Sequence, residues 1–276
     1  MRDEHSQLSG FSAEWLALRA AADRRSRSQP LLAVLRRRVV ATPARPLRIL
    51  DLGAGTGSTL AAVAPLLPRP QQWTLADDEA ALLRIAATGR RPSGTSVRTA
   101  AVDLADPRAL PGLMDGTHVV TASALLDLTS RDWCRRLVRL MARRSGAVLY
   151  AALTYDGRIV FDPPEPFDAP LCRLFNRHQR GDKGFGAALG PAAAPELAAL
   201  AAAAGAAVRT AHSDWRLGAA DAALVRPMIR GWAAAAREVA PEQETAITAW
   251  AARRTAQVGE GRLRVRIGHR DVLACW

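Results

Sequence analysis

An open α/β sheet of seven strands, mostly parallel and wound with helices on both faces, is the fold predicted from these 276 residues. Three observations predict it. Short apolar runs alternate with helix-period stretches from Leu47 to Thr154, the pattern of successive βα units. The first such run, Leu47-Arg48-Ile49-Leu50-Asp51-Leu52, breaks directly into Gly53-Ala54-Gly55-Thr56-Gly57, which is how a buried strand passes through a tight turn into a helix. The first three strands each end on or beside an acid, namely Asp51, Asp77 and Asp103. Together these features describe a Rossmann-like, doubly wound sheet whose ligand crevice lies beyond the carboxyl ends of its strands.

The elements follow in order. Apolar residues at Phe11, Trp15, Leu16 and Leu18 predict a helix from Phe11 to Ala22, with Ser12 a poor cap, and a second helix covers Pro30 to Val40. Residues 1–45 are thus expected as an N-terminal helical unit and 46–276 as the main domain. Strands are expected at 47–52, 72–76, 96–102, 118–123 and 146–154, with helices from 57 and at 79–87, 107–113 and 131–144. Asp156-Gly157 reads as a turn, extending the fifth strand into a hairpin with Ile159-Val160-Phe161. A loop-rich insertion, 155–190, is followed by a helix over 192–205, a strand from Ala207 to Trp215, and two helices over 218–258 separated near Pro241. The stretch 263–274 closes the sheet as a reversed edge strand.

The turn after the first strand carries the chemistry. A dinucleotide fingerprint needs its third glycine at position 58, which is Ser58, and Asp51 would repel a pyrophosphate. An ammonium or a sulfonium would be attracted instead, and S-adenosylmethionine carries both cations without a phosphate. Glycines can merely shape a turn, but a single loop seldom needs three in alternation without a ligand close by. Gly53, Ala54, Gly55 and Gly57 are therefore read as the cradle. Asp77 is placed to accept both ribose hydroxyls; Asp78 either replaces it or caps the helix starting at Glu79, and capping is the favoured role. Asp103 can accept from the adenine amino group, with Leu104 or its neighbour against the ring, and Ser123 follows strand four into the same crevice. On these residues the chain resembles the class I S-adenosylmethionine-dependent methyltransferase superfamily, from about Leu47 to Leu128 with a weaker continuation. The resemblance implies S-adenosylmethionine as cofactor, methyl transfer by direct displacement, and N-terminal helices that pack over the cofactor as a lid.

Candidate acceptor residues are those beyond the later strand tips. Asp127 after strand four is read as a base or ammonium anchor, Tyr155 after strand five as a catalytic group, and Trp215 after strand six as a substrate contact. Trp15 and Arg19 on the first helix face the same region if that helix is a lid. Asn176 and Lys183 are the only asparagine and the only lysine, in a stretch nearly free of alanine. The segment from Leu174 to Gly186 is therefore read as a recognition loop, with Asn176 and Lys183 as contacts and His178 as a general base. His118, His212 and His269 fall in predicted strands and are assigned structural roles. No spacing of His, Cys, Asp and Glu suggests a metal site. Enclosure by the insertion and the N-terminal helices favours a small-molecule acceptor. The competing readings are methylation of RNA or protein, cleavage or cyclisation of S-adenosylmethionine itself, and a non-catalytic binding protein.

Composition narrows the classes further. The net charge is +12, almost all of it arginine spread along the chain with no interleaved aromatics, so a nucleic-acid partner is possible but not favoured. Three scattered cysteines suggest a reducing compartment. No apolar run is long enough to span a bilayer and the start is not a secretory signal, so a cytoplasmic protein is expected.

Overall fold

The computed structural model describes residues 12–41 and 46–276. Two helices come first, α1 (Ala13–Ser26) and α2 (Gln29–Val40). Phe11 lies outside the described residues, and Ser12 is a better cap than expected: its side chain accepts from the Trp15 N–H at 3.1 Å. The βα units follow as β1 (Leu47–Leu52), α3 (Ser58–Val63), β2 (Gln71–Asp77), α4 (Ala80–Thr88), β3 (Thr95–Ala101), α5 (Ala109–Met114), β4 (Val119–Ser123), α6 (Arg131–Ala142) and β5 (Val148–Asp162). Then come α7 (Asp168–His178), α8 (Ala193–Ala203), β6 (Ala207–His212), β7 (Trp215–Leu217), α9 (Ala222–Val239), α10 (Glu244–Gly259) and β8 (Arg264–Cys275).

The strands form one sheet in the order β3-β2-β1-β4-β5-β8-β6, with β7 also on β8. Strands β1 to β5 are mutually parallel and β8 runs against its neighbours. The doubly wound fold is as predicted, with four differences. The described residues form eight strands, because Ser213 and Asp214 interrupt the run expected as one. β8 is not at the edge: it lies between β5 and β6, and the half-exposed β6 takes the edge instead. Asp156-Gly157 makes no hairpin; Gly157, at φ 91°, sits in a shift of register between Tyr155 and Ile159, and β5 continues along β8 to Asp162. Part of the loop-rich insertion is helical, since Leu171 and Leu174 are one turn apart and both buried in α7.

One core layer packs on each face. On one lie Ile49, Trp73, Tyr150, Phe161, Trp215 and Trp250; on the other Leu50, Leu52, Trp133, Leu137 and Leu197. A buried ionic knot fastens α7 to α10. Arg254 is fully buried, paired with Asp168, bonded to the Pro163 carbonyl, and stacked 4.8 Å from the Phe161 ring centre, while Trp250 also donates to Asp168 at 2.9 Å. A second buried carboxylate, Asp271 on β8, accepts from Ser28 N–H at 2.9 Å, Tyr150 hydroxyl at 2.7 Å and Leu153 N–H at 2.9 Å. It thereby ties the α1–α2 junction to β5 at Leu153, a non-glycine residue held at φ 56°.

Candidate functional site

The strand order places the tips of β1, β2 and β3 side by side, and the acids come with them. Gly53, Gly55 and Gly57 all have positive φ. At Gly55 (φ 51°) a side chain would also collide with Leu16 of α1, whose methyl lies 2.9 Å from the added carbon, and at Gly57 (φ 84°) with Ala86 at 3.2 Å. Ala54 is anchored through its N–H to the Ala76 carbonyl at 3.1 Å. Asp77 accepts from Gly55 N–H at 2.8 Å and Glu79 N–H at 3.0 Å. One lone pair on each oxygen stays available. The N-cap of α4 is Glu79 and has no side-chain bond, so the capping role expected of Asp78 is not found; Asp77 takes that N–H. Asp78 is exposed, and its pKa is raised by partial burial and by the neighbouring Asp77. Asp103 is exposed beyond β3 and accepts from Ala105 N–H at 2.8 Å. Leu104 packs into the core and its carbonyl accepts from Trp133 Nε1 at 2.7 Å, so its side chain is committed to packing and only its neighbours flank the crevice.

Beneath the glycine turn lies a polar nest that the sequence did not disclose. Asp51 is fully buried and accepts from Thr121 Oγ1 at 2.6 Å. Burial pushes its carboxyl up to about 7, against the hydrogen bond from Thr121 and the charge of Arg27. Arg27, immediately after α1, donates through Nη1 to Ser123 Oγ at 2.9 Å, which also accepts from Thr59 Oγ1 at 3.0 Å. Asp51 Oδ2, Arg27 Nε and Arg27 Nη2 are buried without partners. Asp51 therefore does not face a ligand alone, as the sequence suggested, but beside a guanidinium.

Asp127, after β4, is buried with Oδ1 unpartnered, and burial raises its carboxyl to about 6 against the N–H groups of Asp127 and Tyr155 and the charge of Arg19. Arg19 is buried on α1, paired with Asp23 through two contacts of 2.9 and 3.1 Å, and its guanidinium lies 4.9 Å from the Trp215 ring centre. Arg19, Trp215 and Asp127 thus come together, while Trp15 is half-buried against the core and serves to anchor the helix.

The recognition segment does not behave as expected. Tyr155 hydroxyl donates to Asn176 Oδ1 at 2.8 Å, and Asn176 Nδ2 donates to the Gly157 carbonyl at 2.9 Å. Both side chains spend their polar atoms holding α7 against the irregular part of β5, and burial raises the Tyr155 hydroxyl far above its usual range. His178 is no free base either. Lys183 donates to its Nδ1 at 3.4 Å, which leaves Nε2–H for Glu238 at 2.9 Å. The catalytic roles of Tyr155 and His178, and the substrate-contact role of Asn176, are set aside on these contacts. Burial lowers the pKa of Lys183.

Asp156, His212 and Asp214 converge in space although no metal spacing is legible in the chain. Arg158 fills the gap, donating to Asp156 at 2.5 Å and Asp214 at 2.9 Å with His212 Nδ1 at 3.0 Å. The cluster is a neutralised arginine knot.

No family model and no curated protein matches the sequence. Solved structures do. The YcgJ protein of Bacillus subtilis superposes with a TM-score of 0.51 at 15% identity, over 90% of this chain and 98% of that one. The two share the fold, a doubly wound α/β sheet that is mostly parallel. Weaker superpositions include an S-adenosylmethionine-dependent methyltransferase from Thiobacillus denitrificans in complex with S-adenosylhomocysteine (TM-score 0.44, 14% identity, 96% of this chain and 98% of that one). Another is the cyclopropane synthase MmaA2 from Mycobacterium tuberculosis (TM-score 0.48, 10% identity, 90% and 83%). Among the described residues no helix is long and apolar enough to cross a membrane.

Proposed function

We propose that this protein binds S-adenosylmethionine across the tips of β1, β2 and β3 and transfers its methyl group to a small-molecule acceptor. The observation that carries the reading is the pair of orphaned groups under the glycine turn. A buried carboxylate oxygen of Asp51 and two buried nitrogens of Arg27 lack partners, and buried polar groups seldom stay unpaired. An amino-acid zwitterion, with one ammonium and one carboxylate, completes both at once. Neither an adenine dinucleotide nor a phosphate does.

In this reading Asp77 holds the ribose through its spare lone pairs, Asp103 or Asp78 meets the adenine amino group, and the glycine turn lets the backbone approach closely. Asp51 faces the ammonium, Arg27 the carboxylate, and Ser123 fixes Arg27. S-adenosylmethionine supplies an electrophilic methyl on a sulfonium, and its leaving group is a neutral thioether. The chain's contribution is then largely positioning and exclusion of water. The helix α1 acts as the lid, with Leu16 over Gly55 and Arg19 over Trp215. Asp127 stands where the acceptor enters.

Titration calorimetry with S-adenosylmethionine and S-adenosylhomocysteine tests this directly. Micromolar binding of both, weakened at least tenfold by Arg27→Met, is the expected result, and no heat from either compound removes the proposal. Mass spectrometry then separates the outcomes: S-adenosylhomocysteine as product marks methyl transfer, methylthioadenosine marks cleavage.

A further inference from the structure

The helix α2 is apolar on more than the face it buries. Leu31, Leu35 and Val39 pack into the core layer that holds Ile49 and Trp73. Round the helix, Leu32, Ala33 and Val40 line a groove of about 460 Å³ whose far wall is Leu66, in the turn that follows α3. Val40 is 55% exposed and Leu66 37%. Exposed apolar residues scattered singly need no explanation, whereas two that share a groove with Leu32 and Ala33 mark a contact surface.

The groove is also of one sign. α2 carries Arg36, Arg37 and Arg38 and no acid, and the exposed Arg36 and Arg37 edge the groove. Among the described residues no acid lines it. The negative end of the helix dipole steadies cations in the last turns of α2, so they cost the fold little. An occupant has to bring the counter-charge.

Shape and charge together select that occupant. The lining positions run from Gln29 to Val40, roughly 16 Å along the helix axis. The walls come only from α2 and Leu66, so the trough is open along its length and a small ligand would stay largely in water. A second helix laid beside α2 fits better. Ala33, exposed and small, lets it approach to an interaxial distance of about 8–10 Å. Leu32, Val40 and Leu66 then meet apolar residues on successive turns, and Arg36 and Arg37 meet acids flanking that stripe. Nucleic acid fits less well because no aromatic residue lines the groove on which a base could stack. A bilayer is flat, and the other apolar residues of α2 are spent on the core. A second copy would set arginine against arginine in a chain of net charge +12.

We propose that α2 and Leu66 form a docking groove for an acidic amphipathic helix of a partner protein. The inference is independent of the methyl-transfer reading. It also leaves the crevice open, since α3 carries the chain away from the β1 tip to Leu66, close to the start of β2 at Gln71.

The probe is a hydrocarbon-stapled, fluorescein-labelled peptide of about 15 residues, with a leucine stripe at helical spacing and glutamates on both sides. Its control carries lysines in place of the glutamates. With the full chain, anisotropy is expected to show saturable micromolar binding of the acidic peptide that weakens as salt is raised, and none of the basic one. Ala33→Glu lies at an exposed helical position, so circular dichroism and melting temperature should stay as in the wild type while binding is abolished. Arg36→Gln combined with Arg37→Gln should weaken binding about tenfold. No binding of the acidic peptide, equal binding of both peptides, or binding undiminished in Ala33→Glu would each overturn the inference. So would saturable binding of phosphatidylglycerol vesicles or single-stranded DNA that Ala33→Glu removes, or a dimer in sedimentation that Ala33→Glu dissolves. Peptide binding gained only after Asp3→Lys with Glu4→Lys would give the groove to the chain's own first residues.

Discussion

The two halves of the sheet gather their polar groups by opposite means. At the tips of β1, β2 and β3 the rim of the candidate crevice comes from short consecutive stretches, three glycines with positive φ and acids at or just past strand ends, and only the nest beneath it draws on a distant residue, Arg27. At β5, β7 and β8 the polar groups are side chains drawn from distant segments, with Arg19 from α1, Asp127 from the β4 tip, and Trp215 and His269 from strands far along the chain. A rim of that kind is written in consecutive residues. A gathering of distant side chains is written only in the fold.

Substitutions can sharpen or break this contrast. The largest effect is expected in the side-chain half, where Arg254→Ala removes a fully buried cation from the partly buried Asp168; equilibrium urea unfolding should show a loss of roughly 3 kcal/mol. Asp271→Ala strands two backbone N–H groups and the Tyr150 hydroxyl, at a cost of roughly 3 kcal/mol by the same measurement. It should also loosen the hold of Arg27 on Ser123, so calorimetry should find weaker cofactor binding than the lost stability alone explains. At the glycine rim, Gly55→Ala imposes a left-handed residue worth about 1–2 kcal/mol and pushes on Leu16; cofactor affinity should fall about tenfold. If Arg254→Ala abolished cofactor binding in a protein that remained folded, or Gly55→Ala unfolded the chain, the contrast would be wrong.

The smallest effect concerns pH. Asp51 is raised from 3.8 to about 7 by burial, so the folded state binds this proton more tightly than the unfolded chain does. The stability it contributes is complete below pH about 4 and is lost as pH rises through about 7. Asp51→Asn escapes that loss. Its thermal midpoint above pH 8 should exceed the wild type by roughly 2–4 °C, with no gain below pH 4, while its affinity for S-adenosylmethionine falls. A variant that is more stable yet binds less would show that Asp51 is kept for the ligand.

What the sequence discloses follows the same division. The glycine turn, the acids Asp51, Asp77 and Asp103 and the alternation of strands and helices are local patterns, and each lies where its spacing placed it. The edge position expected for β8 was lost because nothing in a strand's own residues states which neighbour it will have. His178, Asn176 and Tyr155 attracted functional readings through rarity or position, yet each side chain is engaged with a partner reached only in the fold. Arg27 went unread for the converse reason. One arginine in an arginine-rich chain carries no signal until the partners it lacks can be counted.

The placement of β8 has a bearing on how the chain emerges during translation. β5 and β6 both pair with a strand that is synthesised after them. Until residues 264–275 clear the ribosome, β5 presents a long unpaired border to the cell, the kind of border that invites wrong partners and chaperones alike.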